Sequence, residues 1–417
     1  MNRISRFFAA TLAIPAIFSS PAGADWPQWG GTGRDFTVAA TGLADKWPEA
    51  GPKRLWSREL GPGHSAISLV DGTLYTAFRR NDQDVIVALN AATGETIWES
   101  AYDAPPKIGM LLDFGCGPHS TPLVVGDRLF TVSATVILNC LDRKTGKILW
   151  THDLAEELKA SNIQRGYGPS PIAWKDTIIL TVGGPEAGVA AFKQADGALV
   201  WKTPPMRPSQ SSLILATIGD KPQLIGALGA DRFGLDPENG DILWRTQTDQ
   251  QGAAIMATPV FIAPDKVFYS AAYGFGSHLY QVKKTSSGFE AEELWREMKM
   301  KVQHESIVHA NGVIFGSSGD FGPAFLMGMD AADGKVLWRE RGFAKTNFLR
   351  AGDKFLLLDE TGLLALATAN REGIKIISQV KLLEEKAWTA PTLDGTRLFL
   401  RDNKTIMALD LSAAANP

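Results

Sequence analysis

Three of the chain's six histidines occupy the same kind of position. His64 precedes Ser65, His119 precedes Ser120 and His304 precedes Glu305, each just ahead of a short apolar run. Imidazoles at such positions can donate or accept hydrogen bonds, ligate metals or move protons near neutral pH. Tyr167, ahead of Ser170, and Trp388, ahead of Thr389, fall at equivalent points, while Arg80 and Arg165 stand in neighbouring polar stretches. His64, Arg80, His119, Arg165, Tyr167, His304, Glu305 and Trp388 are therefore the candidate ligand-binding set. Guanidinium and imidazole groups in one place favour an anionic or polar ligand, or an acidic segment of a partner, through charge-assisted hydrogen bonds. The competing reading is structural: His and Ser cap strand ends by bonding to the backbone of a neighbour. A three-histidine metal site needs nitrogens about 2.0–2.1 Å from one ion, which only a narrow channel would supply, so the metal content is left unknown. No G-x-S-x-G elbow, Walker loop, H-E-x-x-H or C-x-x-C occurs, and no catalytic residue is assigned.

What positions these residues is a repeat. ALNAATGETIW ends at Trp98, CLDRKTGKILW at Trp150, AFKQADGALVW at Trp201, GLDPENGDILW at Trp244 and GMDAADGKVLW at Trp338. A stretched copy closes on Trp295 and a degraded one runs to about Ile377. Self-similarity at roughly 40–50 residues marks a propeller or another repeat array. Gly94, Gly146, Gly197, Gly240 and Gly334 each stand four residues before the aromatic position, where a tight hairpin needs positive φ. The Trp then falls on the next strand, placed to pack against the neighbouring unit. Two further strand-like runs precede each phrase, giving four antiparallel strands per unit.

The count is eight. Seven units end at the positions above, and the last (WTAPTLDGTRLFLRDNKTIMALDL) supplies only three strands. An orphan run, KRLWSREL around Trp56, lies near the N-terminus. The expected fold is thus all-β: an eight-bladed β-propeller of four-stranded antiparallel blades, its last blade closed by that N-terminal strand. Joining both chain ends in one sheet removes a bare edge. A solenoid would need polar caps, and none is apparent. The longest connections, 101–118, 151–169 and 245–259, should wall one face together with the segments 79–84 and 273–278. Asp153 and Glu156 in the second are spaced as a helix capping box.

The first 24 residues have the pattern of a secretory signal: Arg3 and Arg6, an apolar run over 7–18, then Ala22-Gly23-Ala24. Cleavage after Ala24 predicts a periplasmic or secreted protein. That run is too short to span a bilayer, and no Cys follows it closely, so neither a transmembrane nor a lipid anchor is expected. The division is a signal peptide over 1–24, an N-terminal segment packed on the ring over 25–51, and one propeller over 52–417, read as a monomer. A formal net charge of −3 with mixed signs argues against a nucleic-acid partner. Cys116 and Cys140 are expected not to pair. One precedes the first strand of its blade and the other lies late in the third, so the two fall on opposite faces.

The repeat resembles the "tryptophan-docking" phrase of the pyrroloquinoline-quinone-type eight-bladed propellers, and DWPQWGGTGRDF at residues 25–36 resembles their N-terminal signature. That family includes quinoprotein dehydrogenases and the propeller lipoprotein of the outer-membrane β-barrel assembly machinery. The resemblance implies two readings. One is an exported, non-catalytic scaffold binding a protein partner or small polar ligand at the axial channel mouth, with no cofactor. The alternative is a dehydrogenase holding pyrroloquinoline quinone and Ca²⁺ in the axial funnel beneath a disulfide of adjacent cysteines. Here Cys116 and Cys140 are not adjacent, no CxxCH is present, and Asp113 and Glu305 stand singly rather than at Ca²⁺-ligand spacing. The scaffold reading is the preferred one.

Overall fold

In blade 1, strands Thr73–Arg80 and Gln83–Asn90 are buried along almost their whole length, whereas Thr96–Asp103 alternates between exposed and half-buried residues. A sheet covered on both faces needs no polar side, so its middle strands are continuously apolar, and only the outermost strand keeps the period of two. The computed structural model describes residues 25–113, 115, 117–161, 164–248, 257–320 and 322–416. The signal-like segment 1–24, Cys116 and Met256 lie outside these.

Eight such sheets follow one another. Blade 1 spans 68–103, and the next six span 123–153, 172–202, 214–247, 260–297, 308–340 and 346–381. Blade 8 has three strands over 392–410 and takes its outermost from Lys53–Glu59, antiparallel to Thr405–Asp410. The first strand of each blade faces the axis, where neighbouring first strands touch. The ring is the eight-bladed propeller expected, closed by the N-terminal strand.

Polar links cross the seams on the inside, and tryptophan N–H bonds cross five of them on the outside. On the outside, Trp56 Nε1–H donates to Ala91 O at 3.0 Å, Trp98 to Arg143 O at 3.0 Å, Trp150 to Gln194 O at 3.2 Å and Trp295 to Ala331 O at 3.2 Å. Each indole lies over the hairpin Gly of the next blade. A Cβ on Gly146 would come within 2.5 Å of Trp98 and one on Gly94 within 2.6 Å of Trp56. Trp56 belongs to the closing strand, so the contact that joins blade 8 to blade 1 is the one used elsewhere. Trp244 departs from the rule, donating to Gln223 of its own blade at 2.7 Å. Blade 5 supplies no hairpin Gly in the expected place, because its last two strands are extended to ten residues each.

On the inside, hydroxyls and one amide make the link. Ser65 donates to Ser120 O, Ser211 to Ala257 O, Ser306 to Phe348 O and Thr392 to Ile67 O, at 2.6–3.0 Å. Ser170, Ser212 and Ser270 accept backbone N–H groups across the intervening seams, and Asn347 reaches Trp388 O. Much of the backbone buried at the strand starts is thereby paired, while the Ser120 and Thr389 hydroxyls are left without a hydrogen bond.

The N-terminal segment, which carries Trp26 and Trp29, packs against the inner strands of the ring. It enters the axial channel. Trp26 exchanges backbone hydrogen bonds with Leu69 of blade 1, Pro27 O accepts from Val124 of blade 2, and Thr37–Val38 runs parallel to the first strand of blade 7. Arg34, fully enclosed, donates to Ser170 O and Pro171 O of blade 3. The chain then passes beneath blades 7 and 8, Trp47 N donating to Ser378 and Ala44 N to Leu411 O, before forming the closing strand.

Gly146→Ala and Gly126→Ala separate the two parts of this account. Both glycines have positive φ, 73° and 55°, but a Cβ on Gly126 meets nothing within 4 Å. Gly126→Ala should cost only the left-handed backbone strain, about 1 kcal/mol. Gly146→Ala must also displace Trp98 and should cost about 3 kcal/mol, read from denaturation midpoints.

A histidine-lined cavity at the channel mouth

Because every blade begins at the same end of the ring, the residues just before each first strand converge there. They enclose a cavity of about 380 Å³ to which all eight blades contribute. His64, His119 and Trp388 come from blades 1, 2 and 8, and Gln303 and His304 from blade 6. Ser170, Gln210, Ser212 and Thr258 bring polar groups from blades 3 to 5, and Lys345 comes from blade 7. Trp29 lies at the inner end. Its Nε1–H donates to Thr258 Oγ1 at 2.9 Å and its ring packs edge-on against Phe36 at 4.9 Å, so the N-terminal segment forms the floor.

The aromatic groups form one arc. His119 and His64 stack at 5.7 Å with planes 14° apart, His64 meets Trp388 at 4.8 Å, and Trp388 meets His304 at 5.1 Å. Trp388 is fixed from outside by donating Nε1–H to Glu360 at 2.7 Å. Burial opposes ionisation of Glu360, but the indole N–H and the Lys386 and Lys345 ammoniums together hold its carboxyl below the usual range. The His119 and His64 rings thus stack on each other, and Trp388 touches both His64 and His304. Among the described residues no group of three His, Cys, Asp or Glu is placed to hold a metal ion.

His64 is positioned by Arg401, a fully buried residue of blade 8. The Arg401 guanidinium donates to Gly63 O at 2.8 Å and Ser65 O at 3.2 Å, on either side of His64, and also to Ala77 O and Thr76 Oγ1. Burial lowers the Arg401 pKa to about 10, which leaves it charged at neutral pH. His64 N donates in turn to Pro118 O at 2.8 Å, next to His119. His119 Nε2 lies 2.9 Å from Arg165 O. A carbonyl only accepts, so the proton is assigned to Nε2.

The remaining candidates divide. Arg165 stands at the rim of the cavity. Glu305 is buried beneath it, its Oε2 accepting from the backbone of Gln303 and His304 at 3.0 and 3.1 Å, and it lines a separate narrow cleft with Arg34. Tyr167 turns away into the core of blades 2 and 3, where its hydroxyl donates to Thr181 O at 2.8 Å. Arg80 pairs with Glu99 on the outermost strand of its own blade at 2.8 Å and does not line the cavity. The hairpin at 79–84 stays out with it, Arg79 being tied to Asp84 at 2.9 Å. The connection from blade 1 to blade 2 and the loop of Tyr273 do reach the wall, through Leu111 and Tyr273. In the 151–169 connection Asp153 caps a short helix, Leu154–Glu157. Sequence reasoning passed over Trp29, Gln303 and Lys345. Gln303 directly precedes His304 and was legible from it, whereas nothing local ties Trp29 to the axis.

Two measurements test this construction. Burial pushes the His119 imidazole down to about 4, against the opposing hydrogen bond to Arg165. Between pH 6.5 and 4 the unfolded chain therefore binds a proton that the folded chain does not, and stability falls as the pH drops through that window. His119→Gln should flatten the melting temperature over that range relative to wild type. Arg401→Met leaves several buried carbonyls without donors and should cost about 3 kcal/mol or more in a denaturant titration.

A family model described as "Outer membrane protein assembly factor BamB" matches residues 48–135 and 82–340. The chain is 21% identical over 292 residues to the assembly factor BamB of Yersinia pestis, covering 68% of this chain and 72% of that protein. It is 27% identical over 137 residues to the quinohemoprotein alcohol dehydrogenase ADH IIB of Pseudomonas putida, covering 32% of this chain and 19% of the other. The fold superposes on BamB from Moraxella catarrhalis with a TM-score of 0.61, at 16% identity, over 86% of this chain and 99% of that one. On the quinohemoprotein alcohol dehydrogenase of Comamonas testosteroni the TM-score is 0.68, at 15% identity, over 93% and 80%. With the family match running through more than half of its length, the chain belongs to the BamB family of outer membrane protein assembly factors.

Proposed function

We propose that this chain is an exported, non-catalytic propeller scaffold that works in the periplasm or beyond. It takes a protein partner or a small polar or anionic ligand at the mouth of the axial channel. The observation that carries the reading is the cavity itself, built by all eight blades and floored by Trp29. A concave site with converging polar groups on a rigid ring is where ligands bind. Kinship with outer-membrane assembly factors supports a protein partner in that process.

The dehydrogenase alternative requires a quinone and a calcium ion, and the residues present do not fit them. Among the described residues lining the cavity Asp320 is the single carboxylate, and it stands 3.4 Å from the Lys301 ammonium. Asp113 does not line the cavity. Cys140 is a free thiol buried in blade 2, its Sγ 3.6 Å from Arg128, and no adjacent cysteine exists to form the disulfide cover. A hard cation needs six or more oxygen ligands with carboxylates among them, and among the described residues no cluster of acidic groups is placed to supply them.

The combined substitution His64→Gln and His304→Gln tests the scaffold reading. Capture of an outer-membrane assembly component by the full chain, scored by mass spectrometry, should fall at least tenfold while the melting temperature stays within about 2 °C of wild type. Stoichiometric uptake of pyrroloquinoline quinone in the presence of calcium, with reduction of a dye by an alcohol, would overturn the reading in favour of the enzyme.

A further inference from the structure

We propose that the rim of the mouth face where blades 5 and 6 meet docks an acidic segment of a protein partner, whose carboxylates bind Arg339 and Arg341. The inference rests on the scaffold reading for the existence of such a partner. It adds the partner's chemistry and a contact surface outside the cavity.

The register of blade 6 brings the two arginines together. Across its last two strands, Phe325–Asp330 and Val336–Glu340, Met327 pairs with Arg339 and Leu326 with Glu340. Side chains alternate along a strand, so Phe325, Met327 and Arg339 share one face and Glu340 falls on the other. Arg341, one residue past the strand, returns to the face of Phe325. That face packs on blade 5, Met327 lying in one core with Phe268 and Leu279. Four antiparallel strands that begin at the mouth also end there, which places Phe325 and Arg341 at the rim. The Arg339 guanidinium stands 4.0 Å from the centroid of the half-buried Phe325 ring, and that of Arg341 5.3 Å from it. Both arginines are exposed.

The connection from blade 5 adds charge beside them. Ser318, the register partner of Phe325, accepts from Lys301 N and donates to Lys299 O, each at 2.9 Å. Lys301 is engaged by Asp320. Among the described residues no carboxylate stands within ion-pair distance of the Arg339, Arg341 or Lys299 side chains. On other blades Arg80, Arg143, Arg245 and Arg371 each hold one. Residues 296–301 and 338–345 carry six cationic and two acidic side chains, in a chain of formal net charge −3.

An aromatic ring under a guanidinium restrains its plane and leaves its N–H edge open, and that edge takes a carboxylate through two parallel bonds. An anionic membrane calls for a broad basic surface. A chain of net negative charge, with Glu297, Asp320 and Glu340 flanking the strip, does not offer one. A short run of carboxylates reaches the arginines without meeting that repulsion.

The test is fluorescence anisotropy of labelled hexaglutamate with the purified full chain at low salt. Hexaglutamate should bind saturably. Arg339→Gln with Arg341→Gln should weaken it at least tenfold, the melting temperature staying within about 2 °C of wild type. Arg54→Gln with Lys375→Gln removes the same charge from exposed positions on the outermost strands of blades 8 and 7, and should change affinity less than about twofold. Arg339→Lys with Arg341→Lys keeps the charge but not the fork, and should weaken binding about threefold or more. No saturable binding, an equal loss in the Arg54 and Lys375 control, or full affinity in the lysine variant would each overturn the proposal. So would co-sedimentation with phosphatidylglycerol vesicles that the double glutamine variant abolishes. If hexaglutamate fails while His64→Gln with His304→Gln still abolishes partner capture, the acidic segment falls and the scaffold reading stands. If hexaglutamate fails and capture is insensitive to those substitutions, both fall.

Discussion

Everything at the mouth depends on the ring being closed, and closure rests on one sheet made from both ends of the chain. Lys53–Glu59 pairs with Thr405–Asp410, so the edge that would remain bare is covered and the last blade becomes equivalent to the others. Arg401 then converts closure into geometry. Its guanidinium, buried in blade 8, holds backbone carbonyls of blade 1 on both sides of His64. An open ring would lose that register together with the contact between His64 and Trp388.

The blade starts carry two kinds of residue with separate tasks. Hydroxyls and one Asn side chain bond across the seams, which satisfies the polar backbone there. The histidine rings are released to line the cavity, with His119 doing some of both through its bond to Arg165 O. Ser65 and His64 thus stand side by side with different surroundings, one bonding across the seam and the other lining the cavity.

Occupation of the channel by the N-terminal segment changes the character of the site. Without Trp29 the axis would be a passage, and with it the mouth becomes a blind cavity with an aromatic floor. The same segment buries Arg34 and anchors blades 1, 2, 3 and 7 from within. A stretch that reads as a leader to the repeats is thus part of the cavity's wall.

The repeat phrase by itself determined the blades, their number and the closing strand, because Gly with positive φ and Trp four residues later encode a local hairpin and its next neighbour. It also marked His64, His119, His304 and Trp388 as equivalent, since equivalent positions in a ring converge by symmetry. Side-chain direction is another matter. Arg80 turns outward to Glu99 and Tyr167 inward to Thr181, and in each case the partner is chosen by packing that no local pattern records. Trp244 abandons the seam because the blade beyond it lacks the Gly, and its bond to Gln223 of its own blade is chosen by packing. The path of residues 25–38 through the axis was likewise decided by tertiary structure alone. The first strands leave backbone groups and a channel there, and the one piece of chain free to fill it carries no periodicity of its own.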